Sequence, residues 1–404
     1  MTLKQKYTLL FILGALSAIG PFSIDMYLPA FPSIADGLNT DISNVSLSIT
    51  SYFIGISIGQ LIYGPITDKY GRKKPLLIGL TLFCVTALAC VFSPSINWLI
   101  GMRFLLALGG CAGLVTSKAV VRDAFHINET AKIFSMLMLI SGVAPIIAPT
   151  IGGWLLNVFN WHSIFYFLSI FSFILILAVH FFLPEGNSKN KERSLKPKEI
   201  YKDYKIVFSN PHFLYYTLAS GTGMAGMFAY ISGSAFVFIK HFGISESNFG
   251  LIFGLNACGF ILGSQINRLL LKKYTSQQII TFAATTLICI SILILLLFTV
   301  NAITSIILVG FIFTFLFSLG LLIPNATALA LAPFSKNAGS ASALIGFIQM
   351  FFGASLTAMV SLLHNETIFP LIFGMFLCGI TTFCIIMIRN TKVKKEKLYK
   401  ECIS

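Results

Sequence analysis

Gly64-Pro65-Ile66-Thr67-Asp68-Lys69-Tyr70-Gly71-Arg72-Lys73-Lys74-Pro75 is the densest charged patch in the first 110 residues, and it joins two long apolar runs, 45–65 and 76–93. A short, basic, glycine-punctuated loop between two spanning segments is poorly suited to chemistry on a soluble substrate. It suits a tight cytoplasmic turn that two packed helical bundles can lock and unlock.

The composition agrees. Of 404 residues, 56% are hydrophobic and only 10% are charged, against about 25% in soluble domains. So few charges cannot cover a water-exposed surface, so most of the exterior must face lipid. Apolar runs of helix-spanning length recur, and the ten-residue alternating segments of a membrane barrel are absent. The chain is predicted to be an all-α membrane protein with twelve transmembrane helices near 8–29, 45–65, 76–93, 98–118, 133–156, 163–183, 213–236, 248–267, 278–298, 302–324, 341–363 and 368–388. The first span is not read as a cleaved signal: it is long, contains Asp25, and is followed by Pro29 and Pro32.

Charge sets the expected orientation. With both termini cytoplasmic, every lysine and arginine except Lys240 and Arg103 falls on the inner side, as the positive-inside rule requires. The net charge of +14 follows from that rule and is not a nucleic-acid footprint. The cysteines are scattered and no histidine pair has ligand spacing, so no metal and no cofactor are expected.

The domain reading is an N-terminal six-helix bundle (1–183), a cytoplasmic linker (184–212), a C-terminal six-helix bundle (213–388) and a cytoplasmic tail (389–404). A short amphipathic surface helix is considered near Ile200 to Phe208. Shifted by 199 residues, Gly64, Asp68, Lys69, Lys73 and Lys74 fall on Gly263, Asn267, Arg268, Lys272 and Lys273. Such duplication fits two pseudo-symmetric halves with substrate between them near the midplane.

The basic loop resembles the signature of the major facilitator superfamily. Further matches narrow the resemblance: Asp25-Met-Tyr-Leu-Pro29-Ala, Arg103-Phe-Leu-Leu-Ala-Leu-Gly109-Gly110, Ala119-Val-Val-Arg122-Asp123, Ala144-Pro145-Ile-Ile-Ala-Pro149 with Gly152-Gly153, Tyr230-Ile-Ser-Gly-Ser-Ala, and Ala341-Ser-Ala-Leu-Ile-Gly346 with Gln349. Together they resemble the Bcr/CflA (bicyclomycin-resistance) group of drug:proton antiporters. The resemblance implies a bacterial inner-membrane carrier that exchanges small amphipathic molecules for protons, and a monomer is expected. A carrier of a nucleoside, peptide or siderophore on the same fold is the first rival, and a membrane enzyme or channel the second.

Asp25 is the one acid, and Arg103 the one base, inside a predicted span. Helical rise sets them at similar depth, where they could pair. A carboxyl that gains and loses a proton beside an arginine that cannot is a coupling device. In the loop, Gly64 permits close approach, Gly71 a left-handed turn, Asp68 can complement a helix N-terminus, and Arg72 can pair with Asp123; the superfamily resemblance implies a gate latch. Pro145, Pro149, Gly152 and Gly153 read as a hinge and seal against proton leak, or as a packing kink. Tyr52, Tyr230, Asn256 and Gln349 are candidates for the substrate cavity. No G-x-x-x-x-G-K-[ST] stretch is present, so energy must come from a gradient.

Overall fold

The computed structural model describes residues 3–124, 143–144, 146–183, 196–334, 338–363 and 367–403. These residues are nearly all helical, with no strand among them. In chain order the helices are α1 (Leu3–Asp25), α2 (Phe31–Gly37), α3 (Ile42–Tyr70), α4 (Lys73–Val91), α5 (Ile96–Ala124), α6 (Ile146–Val158), α7 (His162–Phe182) and α8 (Pro197–Phe208). They continue as α9 (Pro211–Ala235), α10 (Glu246–Leu270), α11 (Ser276–Thr299), α12 (Ser305–Leu331), α13 (Ala338–Leu362) and α14 (Phe369–Ile403). A π-helical stretch, Phe236–His241, extends α9.

Among the described residues, eleven helices are long and apolar enough to cross a membrane, and Ile146–Val158 is a shorter apolar helix. That helix is the second half of the predicted fifth span, whose first residues, with Pro145, lie outside the described residues. The exposed face of α7 carries Ile170, Phe173, Ile174 and Phe181. Such a face is stable only against hydrocarbon.

The first span differs from its predicted length. It runs on to Gly37 through a break at Met26 and Tyr27 and a short 3₁₀ turn, Leu28–Ala30. Pro29 and Pro32 lack the amide hydrogens that would continue α1's ladder. Asp25 therefore stands at an interruption within a span and not at its end. The amphipathic helix also forms, over Pro197–Phe208, and the Tyr204 hydroxyl ties it to α3 by donating to Leu61 O at 3.0 Å.

The chain forms two compact units: Met1–Tyr204 with Ile231–Leu255, and Lys205–Tyr230 with Asn256–Ser404. In the first, α3 packs on α5 where Gly55 and Gly59, four residues apart, leave no room for side chains. A Cβ at Gly55 would stand 2.5 Å from Phe104 O, and one at Gly59 would stand 2.7 Å from the Cys111 Cβ. In the second unit, Gly259 and Gly263 of α10 repeat the device against α12. A Cβ at Gly259 would lie 2.6 Å from Phe313 O, and one at Gly263 would overlap Phe317 O. With no hydrophobic drive between helices in lipid, such small-residue seams let backbones approach and gain dispersion contact.

Candidate functional site

The break in the first span organises the site. Ending α1 at Asp25 orphans its last carbonyls. One of them, Ser23 O, accepts a hydrogen bond of 2.7 Å from Arg103 Nη1 on α5. The guanidinium thus caps the negative end of α1. Arg103 has no solvent exposure. Its guanidinium carbon lies 4.3 Å from the Tyr27 ring centroid and 4.6 Å from that of Tyr52, so the cation is held against two aromatic faces.

The cage is fixed by its own hydrogen bonds. Ser48 donates to Val45 O at 2.6 Å, which commits its only proton. Tyr27 therefore donates to Ser48 Oγ, at 2.8 Å. Tyr52 is buried, faces the Ser23 side chain, and lies within electrostatic range of both Arg103 and Asp25. Asp25 itself is 4% exposed.

The direct Asp25–Arg103 contact read from depth is not formed in this structure. Nη1 is committed to Ser23 O, and Nε and Nη2 are buried without a hydrogen-bond partner. Each unmade bond of a buried charged donor costs about 1–3 kcal/mol or more. Aromatic faces offset part of that, about 2 kcal/mol each when desolvated. The result is a fixed cation with two unused donors, capping the same helix end that carries the buried Asp25.

The sixth helix closes on the same break. A Cβ at Gly152 would overlap the Met26 carbonyl, so only glycine lets α6 approach the interrupted backbone. On its other flank, α6 meets the start of α10 within the same compact unit. A Cβ at Gly250 would stand 3.2 Å from Thr150 N, and one at Gly254 would stand 3.1 Å from the Ile146 side chain. Pro149 lies within α6, adjoining Thr150, and Gly153 is buried beside Gly152. Pro145 is outside the described residues.

The loop residues converge as well. Gly71 has φ 85°, the left-handed turn between α3 and α4. Arg72, 8% exposed, donates through Nε to Asp123 Oδ2 at 2.8 Å. Its Nη1 reaches Asp68 Oδ1 at 2.7 Å and Thr67 Oγ1 at 3.2 Å. Thr67 in turn donates to Gly64 O at 3.1 Å. Burial pulls the Arg72 pKa down, but the bonds and charges of Asp123 and Asp68 outweigh it and leave it raised. Asp68 differs from expectation in one respect: it sits in the last turn of α3, an unfavourable place for an anion, and Arg72 compensates it. Arg72→Gln leaves two carboxylates facing each other. We expect transport to fall about tenfold or more while the protein still folds, since losing one partner of a largely buried pair costs about 3–5 kcal/mol. Flux in reconstituted vesicles and a thermal melt check this.

In the second unit the position aligned with Asp68 carries an amide. Asn325 Nδ2 donates to Asn267 Oδ1 at 2.6 Å, a neutral counterpart of the charged cluster. Of the cavity candidates there, Tyr230 and Asn256 are buried and joined, Asn256 Nδ2 donating to the Tyr230 hydroxyl at 3.1 Å. Asn256 Oδ1 is buried without a partner. Gln349 Nε2 donates to Ser220 Oγ at 3.3 Å. The sequence reading missed Tyr27, Ser23 and Ser48, although Tyr27 stands two residues from Asp25 in the quoted motif. It also missed Gly250 and Gly254, whose four-residue spacing was a readable signal.

The sequence profile of the Major Facilitator Superfamily matches residues 11–358. An uncharacterized MFS-type transporter of Bacillus subtilis (strain 168) is 36% identical over 366 residues, 90% of each chain. A bicyclomycin resistance protein homolog of Haemophilus influenzae is 30% identical over 400 residues, 96% of this chain and 99% of that one. Among solved structures, a D-xylose-proton symporter superposes with a TM-score of 0.73 at 11% identity, covering 93% of this chain and 97% of the symporter. That likeness concerns the fold.

Proposed function

The chain belongs to the Major Facilitator Superfamily, and so is a multi-pass membrane transporter of small molecules and not an enzyme; from that premise we propose that it exports amphipathic, drug-like compounds in exchange for protons. The bicyclomycin resistance homolog supports the substrate class. The observation that carries the coupling is the Arg103 cage, a buried cation with two unused donors on the helix end that carries the buried Asp25.

In this reading Asp25 binds the incoming proton. Deprotonated, its carboxylate is the natural acceptor for Arg103 Nε and Nη2. Held ionised in that way, it can also accept from a donor group on the substrate; protonated, it lets both go. Proton and substrate then compete for one carboxylate, which is the requirement for antiport. One proton moving down 100 mV supplies about 2.3 kcal/mol, enough for roughly fifty-fold accumulation of a neutral solute.

The remaining parts take supporting roles. Both termini are assigned to the cytoplasm of a bacterial inner membrane by the positive charge of the inner loops. The halves 1–183 and 213–388 would move to alternate access, with Tyr230, Asn256 and Gln349 proposed to contact the substrate. The Arg72–Asp68–Asp123 cluster would latch the inner side of the outward-facing state. The Gly152 contact and the Gly250–Gly254 seam would seal the outer side against proton leak.

Purified protein in vesicles with an imposed pH gradient tests the reading. Amphipathic cationic and neutral drugs are expected to collapse the gradient on addition and to be concentrated against their own. A nucleoside, peptide or siderophore that does so while every drug is inert would replace the drug assignment with a metabolite carrier.

A further inference from the structure

A further buried arginine lies in the second unit, on the cytoplasmic side in the orientation proposed above. Arg389 of α14 is 8% exposed. Its guanidinium carbon stands 5.0 Å from the Tyr216 ring centroid on α9. Arg389 Nη1 and the Tyr216 hydroxyl are both buried without a hydrogen-bond partner. Arg72 has two carboxylates; Arg389 forms no ion pair among the described residues.

Among the described residues, donors and positive charge stand nearby. His212, the second residue of α9, packs against the Tyr216 ring with centroids 5.0 Å apart and lies within electrostatic range of Arg389. Its ring bonds the Leu329 backbone. One turn beyond Arg389, Lys392 Nζ stands 5.5 Å over the Tyr215 ring. The positive end of α9 adds to the same field, with Asn210 Oδ1 accepting from Phe213 N at 3.1 Å. The cluster is held in place: Gln277 Nε2 donates to Asn390 Oδ1, and Asn390 Nδ2 donates to Thr281 Oγ1, each at 3.0 Å.

A buried guanidinium without an acceptor is costly, and fixed donors of one sign fit an oxyanion. Tyrosine and lysine at the end of two spans mark the headgroup level of a bilayer, where anionic phospholipid supplies phosphate oxygens. We propose that Arg389, Tyr216 and Lys392 form a binding site for the headgroup phosphate of an anionic phospholipid of the cytoplasmic leaflet. Arg389 Nη1 and the Tyr216 hydroxyl donate to its oxygens, and Lys392 holds its outer edge. The site shares no residue with the Arg103 cage, so its test does not depend on which solute is carried.

The test is a lipid titration of the purified full chain in neutral detergent, read by native mass spectrometry and by melting temperature. The probes are phosphatidylglycerol, phosphatidylcholine and inorganic phosphate. Phosphatidylglycerol is expected to remain bound and to raise the melting temperature, phosphatidylcholine and inorganic phosphate not. Arg389→Gln should weaken phosphatidylglycerol binding about tenfold. Lys392→Gln should weaken it about threefold to fivefold, and it keeps the proposal testable if Arg389→Gln is not recovered folded. Equal phosphatidylglycerol affinity in wild type and variants, or equal retention of phosphatidylcholine, would overturn the site. Stabilisation by inorganic phosphate that is lost in Arg389→Gln would overturn the lipid assignment in favour of a soluble oxyanion.

Discussion

Asp25→Asn is expected to reduce gradient-driven accumulation of substrate from roughly fifty-fold, at 100 mV and one proton per cycle, to about unity. Asparagine has nearly the same shape as a protonated aspartic acid and cannot ionise. It leaves the end of α1, the Ser23–Arg103 bond and the aromatic cage intact. It also removes a carboxylate that costs about 2.5–3.5 kcal/mol to hold charged at depth. The variant should therefore express, melt no lower than wild type, bind substrate and exchange it downhill, while the pH gradient no longer drives it. Uptake against a gradient and counterflow without one separate the two activities. A variant still concentrating substrate in response to a pH gradient would remove Asp25 from the coupling.

Gly152→Leu should be nearly as damaging for a different reason. The atom that a Cβ would strike is the backbone carbonyl of Met26, which no rotamer change can move. Overpacking of this kind costs about 1–3 kcal/mol or more. The strain would fall on the break that carries Asp25 and on the seam between α6 and α10. Transport should fall about tenfold or more, with a lowered melting temperature and proton leakage through the empty carrier. By contrast, Gly101→Leu should be tolerated, because nothing lies within 4 Å of a Cβ there. Passive decay of an imposed pH gradient in vesicles is the check.

What could be read in advance follows from what the bilayer demands. A span must be apolar over its whole length whatever it packs against, so the long apolar helices stand out in the bare sequence, and so does the basic turn at Gly71. The break at Met26 was harder. Pro29 and Pro32 signal an interruption, but a stretch closed by two prolines reads as the end of a helix as readily as its middle. Only the packed chain brings Phe31–Gly37 into line beyond it. Contacts across the bundle were less legible still. Arg72 with Asp123 could be inferred because both sit at the same ends of neighbouring spans. Arg103 with Asp25 followed the same reasoning, yet the guanidinium turns to the Ser23 carbonyl and to Tyr27 and Tyr52. Depth along a helix gives height, not the direction in which a long side chain leans. The aromatic partners of Arg389 escaped for that reason too, since α14 and α9 are far apart in sequence.

The most direct test of the coupling is proton release on substrate binding. Purified protein in weakly buffered detergent, with a pH indicator, is mixed with a transported drug. The account predicts release of about one proton per chain from the wild type, and none from Asp25→Asn although that variant still binds the drug. Equal release from both proteins, or saturable drug binding to the wild type with no release at any pH, would contradict it.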